Sequence, residues 1–222
     1  MMIDLYCERV GSGLWAEPIN ALSNISFLLA AGAAWYLAHR LGVLSLAIWL
    51  LIGLLVAIGV GSSLFHTWAT PLAKLLDVTP IALFQIVYLW IYSRQVIKLK
   101  SLWAVFLVVL LLGSMIFTRQ FTQSLNGSIV YAPGLSILVG LGLYHWQQRK
   151  RGRLLLLTAT GFFLIALFFR TIDLAICPYW AVGTHFLWHL LNGVVLYLSM
   201  KALIQNYSRP IEPELDTNHG KL

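Results

Sequence analysis

Two histidines, His185 and His189, stand four residues apart in VGTHFLWHLL, a segment otherwise apolar enough for lipid. At that spacing two side chains share a helical face about one turn apart. One helix offers two imidazoles to a single zinc ion in this way. Taken alone, HxxxH is also the pattern of two packed or interfacial histidines that have found hydrogen-bond partners. A third histidine, His66, shifts the balance, because the helices read below put it at the same depth as the pair. Three histidines that leave one position open form the donor set of a catalytic zinc site, whereas structural zinc sites more often use four protein ligands and cysteine. The remaining histidines have simpler, solvated readings from their places in the chain: His39 beside Arg40, His145 before a basic run, and His219 in the tail.

The surroundings of His66 add chemistry. In GSSLFHTWATPLAKLLD, Ser62 lies four residues before His66 on the same face, and Asp77 follows eleven residues after it, past a turn. Asp77 reads as the only acidic residue plainly within an apolar span. Ionisable groups in such spans are costly and usually face a bundle interior or cavity. Near a metal, Asp77 could serve as general base and then acid; as a packing residue it would hydrogen-bond a histidine. Ser62 could assist the same chemistry or bond its own helix backbone, and Ser63 beside it is an equal donor.

A second polar cluster opens the chain. Asp4, Glu8 and Glu17, with Asn20 and Asn24 at the head of the first apolar run, offer carboxylate and amide oxygens of the kind Ca²⁺ takes six to eight of. Their spacing fits no EF-hand loop, and a solvated acidic face is the alternative.

Helices must position these groups. The chain of 222 residues is 59% hydrophobic and 10% charged, with mean hydropathy +0.81, against about 25% charged residues in a soluble domain. Apolar runs of membrane-spanning length are predicted at 20–38, 43–66, 75–93, 102–118, 129–146, 154–170 and 181–203, the second and third separated by a turn around Pro71. The expected fold is an all-α membrane protein, a seven-helix bundle over residues 20–204. Residues 1–19 form an N-terminal segment and 205–222 a short disordered tail. Acidic residues before the first run do not match the basic start of a secretory signal. No Gly-rich nucleotide loop or repeat is present.

The net charge of +7 is distributed by topology, which argues against a nucleic-acid partner. With seven spans, one side collects Arg40, Arg94, Lys98, Lys100, Arg149, Lys150, Arg151, Arg153, Lys201, Arg209 and Lys221; the other collects Arg9, Lys74, Arg119 and Arg170. The positive-inside bias then puts the C-terminus in the cytoplasm and the N-terminus outside. Cys7 and Cys177 both fall outside, where disulfides persist; the sequence leaves open whether they pair.

Taken in order, DLYCE, AEPINALSN, GSSLFH followed by LLDVTPI, and HFLWHLLNG resemble the alkaline ceramidase family, part of a superfamily of seven-helix hydrolases that includes the progestin and adiponectin receptors. The motifs run from Asp4 to Gly193 with the Ser-x3-His-x10-Asp and His-x3-His spacings intact. The resemblance implies that His66, His185 and His189 bind zinc, that Asp77 activates the attacking water, and that Ser62 steadies the oxyanion or the water. It implies a Cys7–Cys177 disulfide, and it matches Asp4, Glu8 and Glu17 to acidic positions of a calcium site. The chain departs from that site: one extra residue separates Asp4 from Cys7, Val10 stands where characterised members have an asparagine, and the segment before Glu17 is shorter, with Asn20 as the available substitute.

The expected activity is zinc-assisted hydrolysis of a lipid amide such as ceramide to a long-chain base and a fatty acid, with acyl chains held between the helices. The rival is a non-enzymatic seven-helix receptor, or a metal transporter using the same histidines. A transporter would want polar groups leading to the cytoplasm, and Gln85 and Thr158 are the visible ones.

Overall fold

The computed structural model describes residues 2–207. The fold is all-helical, with no strand among the described residues. Helix α1 (Pro18–Ser23) is followed at Asn24 by α2 (Ile25–Arg40). Then come α3 (Leu46–Trp68), α4 (Pro71–Tyr92), α5 (Ser101–Thr118), α6 (Ala132–Gln147), α7 (Leu155–Ile176) and α8 (His185–Asn206). Seven of the resulting segments are long and apolar enough to cross a membrane, the first being Pro18–Arg40. The expected tail from residue 205 begins inside α8; from residue 208 onward, His219 included, it lies outside the described residues.

Neighbours in sequence pack as neighbours in space, and contact of α2 with α8 closes the ring, with α1 resting against α3 and α8 at one end. Helix α2 fits between α3 and α8 because its inner face is Ala30, Ala31, Ala34 and Ala38, all buried. Small side chains let backbones approach where lipid supplies no hydrophobic drive between helices. Helix α5 is the opposite case. It buries only Ala104 and Leu111, and leaves Leu102, Trp103, Phe106, Val109, Leu110, Ile116 and Phe117 exposed. Apolar surface of that extent suits lipid contact.

Local chemistry sets the helix ends that matter for the site. Ala69, in the left-handed region at φ 47°, ends α3. Thr70 then caps α4, its hydroxyl accepting from the Ala73 N–H, and Pro71 occupies the first turn, where its missing N–H costs nothing. Pro71 is thus the start of α4 rather than a turn residue, and Lys74 lies inside the helix rather than in a loop. Further along α4, Pro80 has no N–H to give the carbonyl of Leu76. That carbonyl faces Gly61 of α3 so closely that a β-carbon there would overlap it. The two backbones therefore meet between Ser62 and Asp77.

Helix α7 runs six residues past the predicted end at 170, to Ile176. Arg170 and Asp173 are consequently buried inside the bundle. Asp77 is not the only acidic residue within a span, and Arg170 is not a loop charge. The apolar residues Ile172, Leu174, Ala175 and Ile176 continue the helical pattern, but the charge at 170 hides it.

Candidate metal centre

His66 sits two residues before the end of α3, and His185 begins α8 with His189 one turn on. All three are buried, and their nitrogens lie within 4.8 Å of one another, the one such group of possible metal ligands among the described residues. The outward nitrogens of two of them are held. His66 Nδ1 donates to Glu17 Oε2 at 2.5 Å. His189 Nδ1 donates to Ser23 Oγ at 2.7 Å, because the Ser23 hydroxyl is itself committed to the Asn20 carbonyl. Both rings then present Nε2 inward, the arrangement by which outer partners orient ligating histidines. Buried His185 Nδ1 has no hydrogen-bond partner, and its ring stacks on Tyr6 at 3.5 Å between centroids. An inward-facing nitrogen donor set with an orphaned imidazole atom fits a Zn²⁺ ion.

Asp77 is half-buried. Ser62 is among its polar neighbours, and His66, Arg170 and Lys74 are within electrostatic reach. Ser63 is committed elsewhere, its hydroxyl donating to the Gly59 carbonyl of its own helix at 2.8 Å. Of the two serines, Ser62 is the one beside Asp77.

Two buried residues that sequence reasoning passed over frame the site. Asp173 Oδ1 accepts the N–H groups of Thr184 at 2.7 Å and His185 at 2.9 Å, while Oδ2 accepts that of Cys7 at 2.9 Å. Free N–H groups at a helix start need such an acceptor, and Thr184 supplies no side-chain cap. Gly183, at φ 67°, passes so close to Asp173 that a β-carbon would overlap the carboxylate. Arg170 lies over the rings of Tyr131 and Trp188, at 5.1 and 5.8 Å, and donates to the Asn126 carbonyl and the Ser128 hydroxyl.

Cys7 and Cys177 form a disulfide, which pins the N-terminal segment beside Asp173 and over the histidines. The acidic residues of that segment have separate partners. Asp4 is exposed. Glu8 Oε1 and Oε2 accept the N–H groups of Ile19 and Asn20 at 2.7 and 2.8 Å, capping α1. Burial raises the Glu8 carboxyl above its ordinary value against the opposing pull of those two N–H groups. Glu17 is tied to Arg9, Asn20 and His66. Burial pushes its carboxyl up most, but the bond and charge of His66, with Asn20 and Arg9, together hold it below the ordinary value. The Asn20 side-chain nitrogen serves Glu17 at 3.1 Å. Calcium at Asp4, Glu8, Glu17 and Asn20 gains no support from this arrangement: two of the carboxylates serve as a helix cap and a histidine partner, while Asn20 Oδ1 has no hydrogen-bond partner. Tyr6, stacked on His185, is also raised, chiefly by burial.

Below the histidines an apolar cavity extends between the helices. Its lining includes Phe27, Ile58, Ile81, Phe84, Leu138, Phe163, Trp188 and Val195, with Gln85, Asn192 and Ser199 as polar members.

A family model described as Ceramidase matches residues 4–216, nearly the whole chain. No curated protein matches it. The chain belongs to the ceramidase family.

Proposed function

We propose that this member of the ceramidase family is a zinc-dependent intramembrane amidase that hydrolyses ceramide or a related lipid amide to a long-chain base and a fatty acid. The observation that carries the reading is the convergence of three buried histidines, His66, His185 and His189, with Asp77 and Ser62 as neighbours of His66 and of each other. A carboxylate and a hydroxyl next to a metal donor set suit water activation, which a ligand-binding receptor does not need.

Zinc held by the three histidines would polarise the amide carbonyl and bring the pKa of its water near ~7. The protein's own groups do the rest. Asp77 accepts the proton of the attacking water and returns it to the leaving amine, a task for one carboxylate in succession. Ser62 donates to the oxygen that gains charge as the carbonyl is attacked. Glu17 and Ser23 hold His66 and His189 in the tautomer that faces inward. The apolar cavity receives the acyl chain, and Tyr6, pinned through Cys7, covers His185. Seven membrane-length helices support an integral multi-pass protein, and its charge distribution favours a site on the non-cytoplasmic side.

The test is zinc content and fatty-acid release measured on one purified detergent sample of wild type, His189→Ala and Asp77→Asn. Expected are about one zinc and turnover in wild type, loss of both in His189→Ala, and loss of turnover alone in Asp77→Asn. Bound zinc with no release from any lipid amide would favour the receptor or transporter reading. An active wild type without zinc would sink the mechanism.

A further inference from the structure

The N-terminal segment brings a buried cation to the metal donor set. Arg9 is 6% exposed, Glu17 2% and His66 1%. Arg9 Nε donates to Glu17 Oε1 at 2.5 Å, and Arg9 Nη2 donates to the carbonyl oxygen of His66 at 2.9 Å. The other oxygen of Glu17 receives His66 Nδ1. A closed ring results: guanidinium to carboxylate, carboxylate to imidazole, and the same guanidinium back to the backbone of that histidine. The His66 carbonyl belongs to the last turn of α3, where carbonyls lack helical partners and a cation is favoured.

We propose that Arg9 is a positioning residue of the metal centre, an internal cation that fixes Glu17 against His66 and makes an added divalent cation unnecessary at this place. Resting on the zinc reading above, the inference extends it to the residue that holds the outer shell. Three observations carry it. The two oxygens of Glu17 are already divided between Arg9 on one side and His66 with Asn20 on the other. Glu8, the next acid, spends both oxygens on backbone N–H groups. The segment leading into Arg9 is fastened twice just before it, by the Ile3 N–H on the Ala69 carbonyl at 2.7 Å and by the Cys7–Cys177 disulfide. An arginine suits the role because its planar fork holds two acceptors in fixed geometry. A lysine would supply the charge but not the fork.

Removing partners that orient a ligating histidine typically weakens metal binding by about 10- to 100-fold. The experiment measures zinc affinity by chelator competition in calcium-depleted buffer, with and without added calcium chloride. It compares wild type, Arg9→Lys, Arg9→Gln, Glu17→Gln and the double variant Arg9→Gln/Glu17→Gln. The expected result is a wild type indifferent to calcium, a loss of about 10-fold or more in Arg9→Gln, and partial recovery in Arg9→Lys. The double variant should bind zinc no more weakly than Glu17→Gln alone, because Arg9 acts through Glu17. Losses that multiply in the double variant, wild-type affinity in Arg9→Gln, or a wild type that needs calcium to hold zinc would each overturn the proposal. Should Arg9→Gln fail to fold, Arg9→Lys decides: affinity equal to wild type overturns it. A wild type that takes up no zinc overturns the metal-centre reading itself, whereas zinc bound with no response to Arg9 overturns this inference alone.

Discussion

The carbonyl oxygen of Leu76 on α4 rests against the α-carbon of Gly61 on α3, with no room between them for a methyl group. Pro80 leaves that carbonyl without its helical donor, and Gly61 gives it a place to go. The residues that follow each partner are Ser62 and Asp77, so this contact sets the distance between the two groups proposed to act on the water and the carbonyl. Gly61→Ala should push α4 away and displace Asp77. A misplacement of about 1 Å can cost roughly 100-fold in rate. The expected outcome is a loss of that order in fatty-acid release with zinc content unchanged, read on the same purified sample.

Asp77→Asn keeps the shape of the side chain and removes its proton-accepting role. A positioned acid–base group typically contributes about 10²- to 10⁴-fold, so turnover should fall within that range. Zinc content should stay at the wild-type value, since the three histidines alone make the donor set. Asp77→Asn with near wild-type turnover would reassign Asp77 as a packing residue.

The helices and the three histidines were legible in the sequence because apolar length and i, i+4 spacing are local properties. The partners of the histidines were not. Glu17 reads as one of three outside acids, and nothing local tells that its carboxylate reaches 49 residues along the chain to His66. Arg9 reads as a loop charge for the same reason. Asp173 was hidden differently: Arg170, three residues before it, looks like the charged flank that ends a span. In the bundle that arginine is screened by Tyr131 and Trp188, and the helix continues.

Asp173 joins three segments at once, accepting N–H groups from Cys7, Thr184 and His185. Asp173→Ala would leave these buried donors without an acceptor, at about 1–3 kcal/mol for each group that finds no other partner. The expected outcome is a lower thermal unfolding midpoint in detergent and weaker zinc retention, because His185 opens α8 with its N–H unfixed. The Cys7–Cys177 bridge should survive, and thiol titration checks that. Full stability in Asp173→Ala would mean that the helix start is held by the disulfide alone.

The cavity gives the last expectation. Along α8 its lining runs from Trp188 to Ser199, eleven residues, or about 16 Å at 1.5 Å per residue. Trp188 is next to His189, so Ser199 marks the far end. Buried Ser199 donates to the Val195 carbonyl of its own helix, and its own carbonyl accepts the Tyr88 hydroxyl at 2.9 Å. A larger apolar side chain at 199 would fill the far end without touching the histidines. Ser199→Phe should therefore change the ratio of rates on long-chain and short-chain ceramides, lowering the long-chain rate more, with zinc content unchanged. An equal fall on both substrates would place the acyl chain elsewhere, against the lipid-facing surface rather than inside the bundle.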